Sequence, residues 1–443
     1  MKEKSATERW QRAFGEAAEA LPGAGVDWLR ESRANALARF TASGFPTRRD
    51  EEWKYTGVSP VEQEIAGLVL RPGTVTEEDI QAYLLTELTT HALVFVDGHF
   101  SPTLSRIGDL PAGVTLTNIN NLLEQNPERL HPHLAHDDET RWFAALNQAL
   151  LIDGAYLELP SNTAMETPIH LLFVATDNSE QRAVQPRNLI LVGAQSTATV
   201  VEHYVGLGGK CYLTNSVTDI VTGEGAVLHH YKVQQEGTNA YHIGTMRSRQ
   251  AAASRFDSHS IALGGRIVRN DVYARLEQSG ASCTLNGLFL GSGRQHIDNY
   301  TWVDHLVPQC TSSAFYKGIL DDNARGVFNG RVYVHPDAQQ TEAMQSNANL
   351  LLSRDAEIDT KPQLEIYADD VKCSHGATVG ELDPTAIFYL QSRGIDKDAA
   401  RSLLTFAFAG DLLRHIELMP LRKRLEEIVI ARLPNSETVK DLL

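Results

Sequence analysis

Apolar positions along the chain follow two different periods. In residues 25–44, Leu29, Ala36, Leu37 and Phe40 recur at helical spacing, and Gly44-Phe45-Pro46 ends the run. A second helical stretch is predicted over 139–152, where Trp142, Phe143, Leu146 and Leu150 share a face and Asp153-Gly154 closes it. Between them, HALVFVDGHF (91–100) reads as a strand pair. From Tyr156 the period falls to two. Short alternating runs, such as 156–159, 189–192, 197–204, 226–233 and 258–263, are separated by turn residues. No helix of ordinary length fits between there and Gly380.

Runs beginning near Gly326, Thr341, Ala356 and Val371 step by about 15 residues, and earlier ones near Leu285, Ile297 and Cys310 by about 12 or 13. A loosely regular stride without crossover helices predicts stacked coils, each burying its inward face on its neighbours. A β-sandwich is the alternative. After residue 382 helices return. Asp383-Pro384 is a cap followed by proline at the first helical position, Gly394 closes that helix, and Asp396 caps the next. A third is expected over 421–433. The expected organisation is a mainly helical part over 1–155, a β-solenoid over 156–382 and a helical domain over 383–443. Ile387, Phe388, Leu390, Phe406 and Phe408 exceed what one apolar stripe accommodates, which points to a partner.

Composition narrows the function classes. With 40 Lys+Arg against 56 Asp+Glu, the net charge of −16 disfavours binding to nucleic acid. No apolar run is long enough to span a bilayer or form a signal-peptide core, so a cytoplasmic protein is expected. The four cysteines, Cys211, Cys283, Cys310 and Cys373, are dispersed, with no C-x-x-C pair, and are expected to stay reduced. GLGGKC (206–211) lacks the first glycine and the final Ser/Thr of a phosphate loop and reads as a turn. H-E-x-x-H, G-x-S-x-G and a complete G-x-G-x-x-G are absent, and no ATPase activity is expected of the chain itself.

Of the 16 histidines, His203, His229, His230, His242, His259, His296, His305, His335 and His375 lie in the strand region. Most read as hydrogen-bonded or surface residues, and His229 and His230 must face opposite sides of one strand. Lys372-Cys373-Ser374-His375-Gly376 differs. Two residues apart on a strand, Cys373 and His375 face the same way, and thiolate and imidazole both suit iron. Two ligands do not complete a metal site, so a buried cysteine beside a hydrogen-bonded histidine is the plainer reading of the spacing alone.

Residues 372–395, KCSHGATVGELDPTAIFYLQSRGI, resemble the signature of the SufD family of iron–sulfur cluster assembly scaffolds. PTRRDEEWKYT (46–56), AALNQALLIDGAYLELP (144–160) and FNGRVYVHPDAQQTEAMQSNANLLLS (328–353) agree, in the family's order. SufB-type paralogues carry Glu in the stretch of His375 and a downstream cysteine absent here, so the likeness is to SufD. The resemblance implies a right-handed parallel β-helix between helical ends, acting as a non-enzymatic scaffold. It implies edge-to-edge pairing with a SufB-like paralogue, and docking of the SufC ABC-type ATPase on the C-terminal helices. It assigns His375 to a transient cluster site shared with SufB, Cys373 to its neighbourhood, and the docking surface to Phe388, Tyr389, Leu390, Arg393, Phe406 and Phe408. Sulfur would arrive from a cysteine desulfurase and its shuttle through SufB, and a homodimer is an option for the isolated chain. Reduced flavin is linked to the family, although no flavin fingerprint is present. A free-standing β-helix carbohydrate-processing enzyme is the rival reading; it requires grouped carboxylates in an exposed groove, and none is evident.

Overall fold

The computed structural model describes residues 6–135, 142–434 and 440. Its centre is a parallel β-solenoid whose strands alternate between two facing sheets. One sheet starts with the hairpin His91–Val96 and His99–Phe100 and adds Ile169–Ala175, Thr197–Gly206 and later strands in turn, ending at Val371–Gly380. The other starts at Thr115–Asn118 and ends at Glu357–Ile366. Thr341 stands opposite Val371, so one coil takes about 30 residues. The stride of about 15 seen in the sequence is thus the half-coil, because consecutive strands belong to opposite sheets. His91–Val96 pairs in parallel with Ile169–Ala175, so the solenoid draws its first strand from the part read as mainly helical.

Helix Asp27–Ser43 buries Leu29, Ala36 and Phe40 and stops at Gly44, whose φ of 65° suits a residue without Cβ. Helix Trp142–Ala149 packs beside it; the earlier part of that expected helix, 139–141, lies outside the described residues. These N-terminal elements cover the outer face of the second sheet, with Trp10, Phe40, Trp53 and Phe143 set against Tyr241, Ile243 and Ile267. The PTRRDEEWKYT segment anchors that cover. Trp53 lies under the Arg269 guanidinium at 3.9 Å, and Arg269 pairs with Asp271 and Asp298, at 2.8 and 2.5 Å. The Thr56 hydroxyl donates to Asp298. Breaking one member of so buried a group would strand a charge.

The C-terminal helices cover the other sheet. Asp383 caps Pro384–Gln391 through Thr385 N at 2.8 Å, and Asp396 caps Lys397–Leu413 through Asp398 N and Ala399 N, both at 3.0 Å. A third helix, Met419–Ala431, follows. Leu412, Leu413, Leu421, Leu425 and Val429 bury themselves on Tyr231, Ile261, Leu288 and Ile319 of the solenoid. Each sheet therefore has a cover over much of its outer face, while the last coil is left largely bare.

Candidate functional site: the open last coil

Strand Val371–Gly380 pairs with Thr341–Leu351 on one side and is the last in its sheet, so its other edge has no partner among the described residues. The lumen side of the strand is fixed by register. Cys373 stands opposite Ala343 and packs with Val332, Val334 and Ala368. His375 stands opposite Gln345, which is 3% exposed and crosses the lumen to Gly330, where a Cβ would collide with its amide. Cys373 and His375 therefore share the inward face, half-buried and exposed respectively, while Lys372 turns outward to Glu342 at 2.8 Å. Burial pushes the Cys373 thiol above its ordinary range, so it is protonated at neutral pH in this state.

A groove runs from His375 past Met344, Ser346 and Phe315 to His415, just beyond helix Lys397–Leu413. None of the residues lining it is a carboxylate. Among the described residues, no three His, Cys, Asp or Glu side chains come together as a metal-binding group. A metal held at His375 would need ligands from beyond the described residues.

The other strand-region histidines singled out by sequence have partners or packing neighbours. His203 meets Gln235 at 2.7 Å, His242 meets Glu236 at 2.7 Å, His296 meets Thr56 at 2.8 Å, and His305 meets Ser312 at 2.8 Å. His335 pairs with Asp304 at 2.8 Å, and His259 stacks on Tyr231. His229 faces Asp257 outside the sheet, while His230 lies inside, between Glu202 and Ser258. All four cysteines are free thiols. Cys283 and Cys310 are buried, and burial beside Glu64 pushes the Cys211 thiol up to about 12.

Of the residues predicted to bind a partner, Phe388 is 70% and Tyr389 54% exposed, with the Arg393 guanidinium 4.6 Å from the Tyr389 ring. Leu390 is half-buried. Phe406 and Phe408 instead lie partly buried against the solenoid, and the Lys317 ammonium sits 4.3 Å from the Phe408 ring.

Sequence reasoning missed a set of charges inside the solenoid. Glu202, His230, Lys232, Glu236 and His242 project into the lumen. Burial alone would raise the Glu202 carboxyl, but His230, Lys232 and the Tyr204 hydroxyl reverse this and hold it at about 2. Burial brings Lys232 down to about 8, and its ammonium donates to Asn270 at 2.9 Å. The signal available was the polar run His230, Lys232 and Gln234 on alternate positions of one strand, with Glu202 opposite Lys232 on its neighbour.

A two-sheet parallel solenoid, covered on both flanks, ends in a strand whose outer edge has no partner among the described residues and whose inward face carries Cys373 and His375. The chain belongs to the SufBD family of the SUF iron–sulfur cluster assembly system. The family's N-terminal region model matches residues 4–171 and its core-domain model residues 173–408. The chain is 35% identical over 416 residues to the iron-sulfur cluster assembly SufBD family protein slr0076 of Synechocystis, covering 91% of each chain. It is 32% identical over 402 residues to the iron-sulfur cluster assembly protein SufD of Escherichia coli, covering 90% of this chain and 92% of that one. Protein ABCI7, chloroplastic, of Arabidopsis thaliana is 29% identical over 405 residues, covering 89% and 83%. A role in iron–sulfur cluster assembly follows from the family. No helix among the described residues is long and apolar enough to cross a membrane.

Proposed function

We propose that the chain is a SufD-type subunit, a cytoplasmic scaffold working in a complex with a SufB-like paralogue and two SufC-type ATPase subunits. The observation that carries this is the unpaired terminal strand with Cys373 and His375 on its lumen side. A free ten-residue edge is a template for another strand, and an isolated edge of this kind favours aggregation unless something covers it. A SufB-like strand added there closes the lumen and brings further ligands beside His375. The nascent cluster is cargo: iron and sulfide are gathered between the two chains and passed on. Imidazole holds iron less tightly than thiolate, which suits a site that must release what it builds.

Phe388, Tyr389, Leu390 and Arg393 form the surface that receives the ATPase, while Phe406 and Phe408 fix these helices to the solenoid. ATP-driven movement of the docked subunits is transmitted through the helices to the last coil. The carbohydrate-enzyme alternative draws no support from the groove at His375, whose lining contains no carboxylate. Co-expression with a SufB-type and a SufC-type protein, followed by size exclusion, tests the reading. A co-eluting complex that carries iron and sulfide is expected. A chain that elutes alone under all conditions contradicts it.

A further inference from the structure

Among the inward polar side chains of Thr341–Leu351 are Gln345, Asn347 and Asn349. Two of them are satisfied. Asn347 donates to Tyr316 O at 3.2 Å and accepts from the Thr360 hydroxyl at 2.8 Å, and Asn349 donates to Asn347 and to Thr378 O. Gln345 is as deeply buried as they are, yet neither Oε1 nor Nε2 has a hydrogen-bond partner among the described residues. Phe328 and Gly330 wall it on the facing sheet and offer no side-chain polar group. A buried amide without a partner destabilises the fold, and an apolar side chain of the same length would fill the space at less cost.

The missing partner is one strand away. Gln345 and His375 are register neighbours on adjacent parallel strands and turn to the same side. Adjacent strands lie about 4.8 Å apart, within reach of a glutamine amide and an imidazole ring. His375 is exposed, and its ring makes no hydrogen bond among the described residues; covering the last coil would confine it over Gln345. An imidazole that ligates through one nitrogen needs its other nitrogen fixed, or both tautomer and ring direction stay loose. The amide can donate from Nε2 or accept at Oε1, so it serves either ring nitrogen.

We propose that Gln345 is the positioning residue for His375: in the assembled complex its side-chain amide hydrogen-bonds the imidazole nitrogen turned away from the metal. This rests on the reading of His375 as a cluster ligand. Gln345 touches no iron itself. It holds the ring that does.

The test compares Gln345→Met and His375→Ala in the co-purified full complex. It reads iron and sulfide content, the visible spectrum of the bound cluster, and the melting temperature of each isolated chain. Gln345→Met is expected to melt at or above wild type and to assemble normally, yet to lose iron and sulfide by about tenfold, the usual scale for a lost partner of a metal-ligating histidine. A purely packing role predicts the opposite: unchanged iron and sulfide. If Gln345→Met keeps wild-type iron and sulfide while His375→Ala loses both, the inference falls and the functional reading stands. If both variants keep wild-type content, the functional reading falls and takes the inference with it. Should Gln345→Met fail to fold, Gln345→Asn replaces it, keeping an amide but withdrawing its reach. The same iron loss is then expected, and wild-type iron overturns the proposal.

Discussion

Lys317 on the solenoid reaches the Asp411 carboxylate of the C-terminal helix at 2.8 Å, and the same ammonium donates to Phe408 O at 3.0 Å. The two ends of this pair differ in exposure, 8% for the lysine side chain and 47% for the aspartate. Removing the lysine leaves a carboxylate that water can solvate. Removing the aspartate leaves a buried ammonium with only a carbonyl and the Phe315 and Phe408 rings. Asp411→Asn is therefore expected to destabilise more than Lys317→Met, by roughly 2 against 1 kcal/mol. Urea unfolding of both variants checks the order, and the reverse order contradicts this account of how the helices are pinned.

Buried histidines set an acid limit on stability. Burial lowers His203, His259 and His305 to about 4, against an ordinary value near 6.5. Above pH 6.5 both folded and unfolded chains keep them neutral, and they add nothing. As pH falls below 6.5, the unfolded chain takes up protons that the folded one refuses. Each such histidine then costs up to about 1.4 kcal/mol per pH unit, until pH reaches its folded value. The unfolding midpoint should fall steadily from pH 7 to pH 5, and His305→Gln should flatten that slope. A His305→Gln slope equal to wild type would show that this histidine is not held neutral.

The exposed pair Phe388 and Tyr389 supports almost nothing within the chain, since their rings stand in solvent. Phe388→Glu should leave the melting temperature within a degree or so of wild type. It should weaken binding of the SufC-type subunit by about thirtyfold, the scale of an aromatic anchor lost from an interface. Surface binding kinetics measure this. Point substitution is the right tool here, because deleting the helices would bare Tyr231, Ile261 and Ile319. Unchanged affinity removes this helix from the docking surface.

Much of the fold is legible in the sequence where one local rule acts. The caps at Asp383 and Asp396, the stop at Gly44 and the alternation after Tyr156 each have a local cause, and the structure contains them. The coil length is not local. Neighbours in sequence sit in opposite sheets, so the visible stride is half of the spatial one. The union of His91–Val96 with Ile169–Ala175 likewise leaves no mark near either strand. Polarity misleads in the lumen, because alternation is normally read as apolar inside. Met344 is 64% exposed and Gln345 is 3% exposed, the inverse of that rule. Glu202 and Lys232 lie in the lumen against the same rule. Cys373 and His375 could be placed on one face from their spacing, but the free edge beside them and the amide beneath His375 needed three dimensions.

His375 is the central claim, and the purified complex is where it is decided. Cys211, Cys283 and Cys310 provide the comparison: their thiols are pushed up by burial and lie away from the last coil, so none offers a ready thiolate. Replacing each with alanine should leave cluster content close to wild type. His375→Ala is exposed enough to leave folding and assembly intact, and it should lower bound iron, bound sulfide and visible absorbance by about tenfold or more. Quantifying iron and sulfide per complex across these four variants is the most direct measurement. A His375→Ala complex that assembles normally and carries wild-type iron and sulfide would contradict the account.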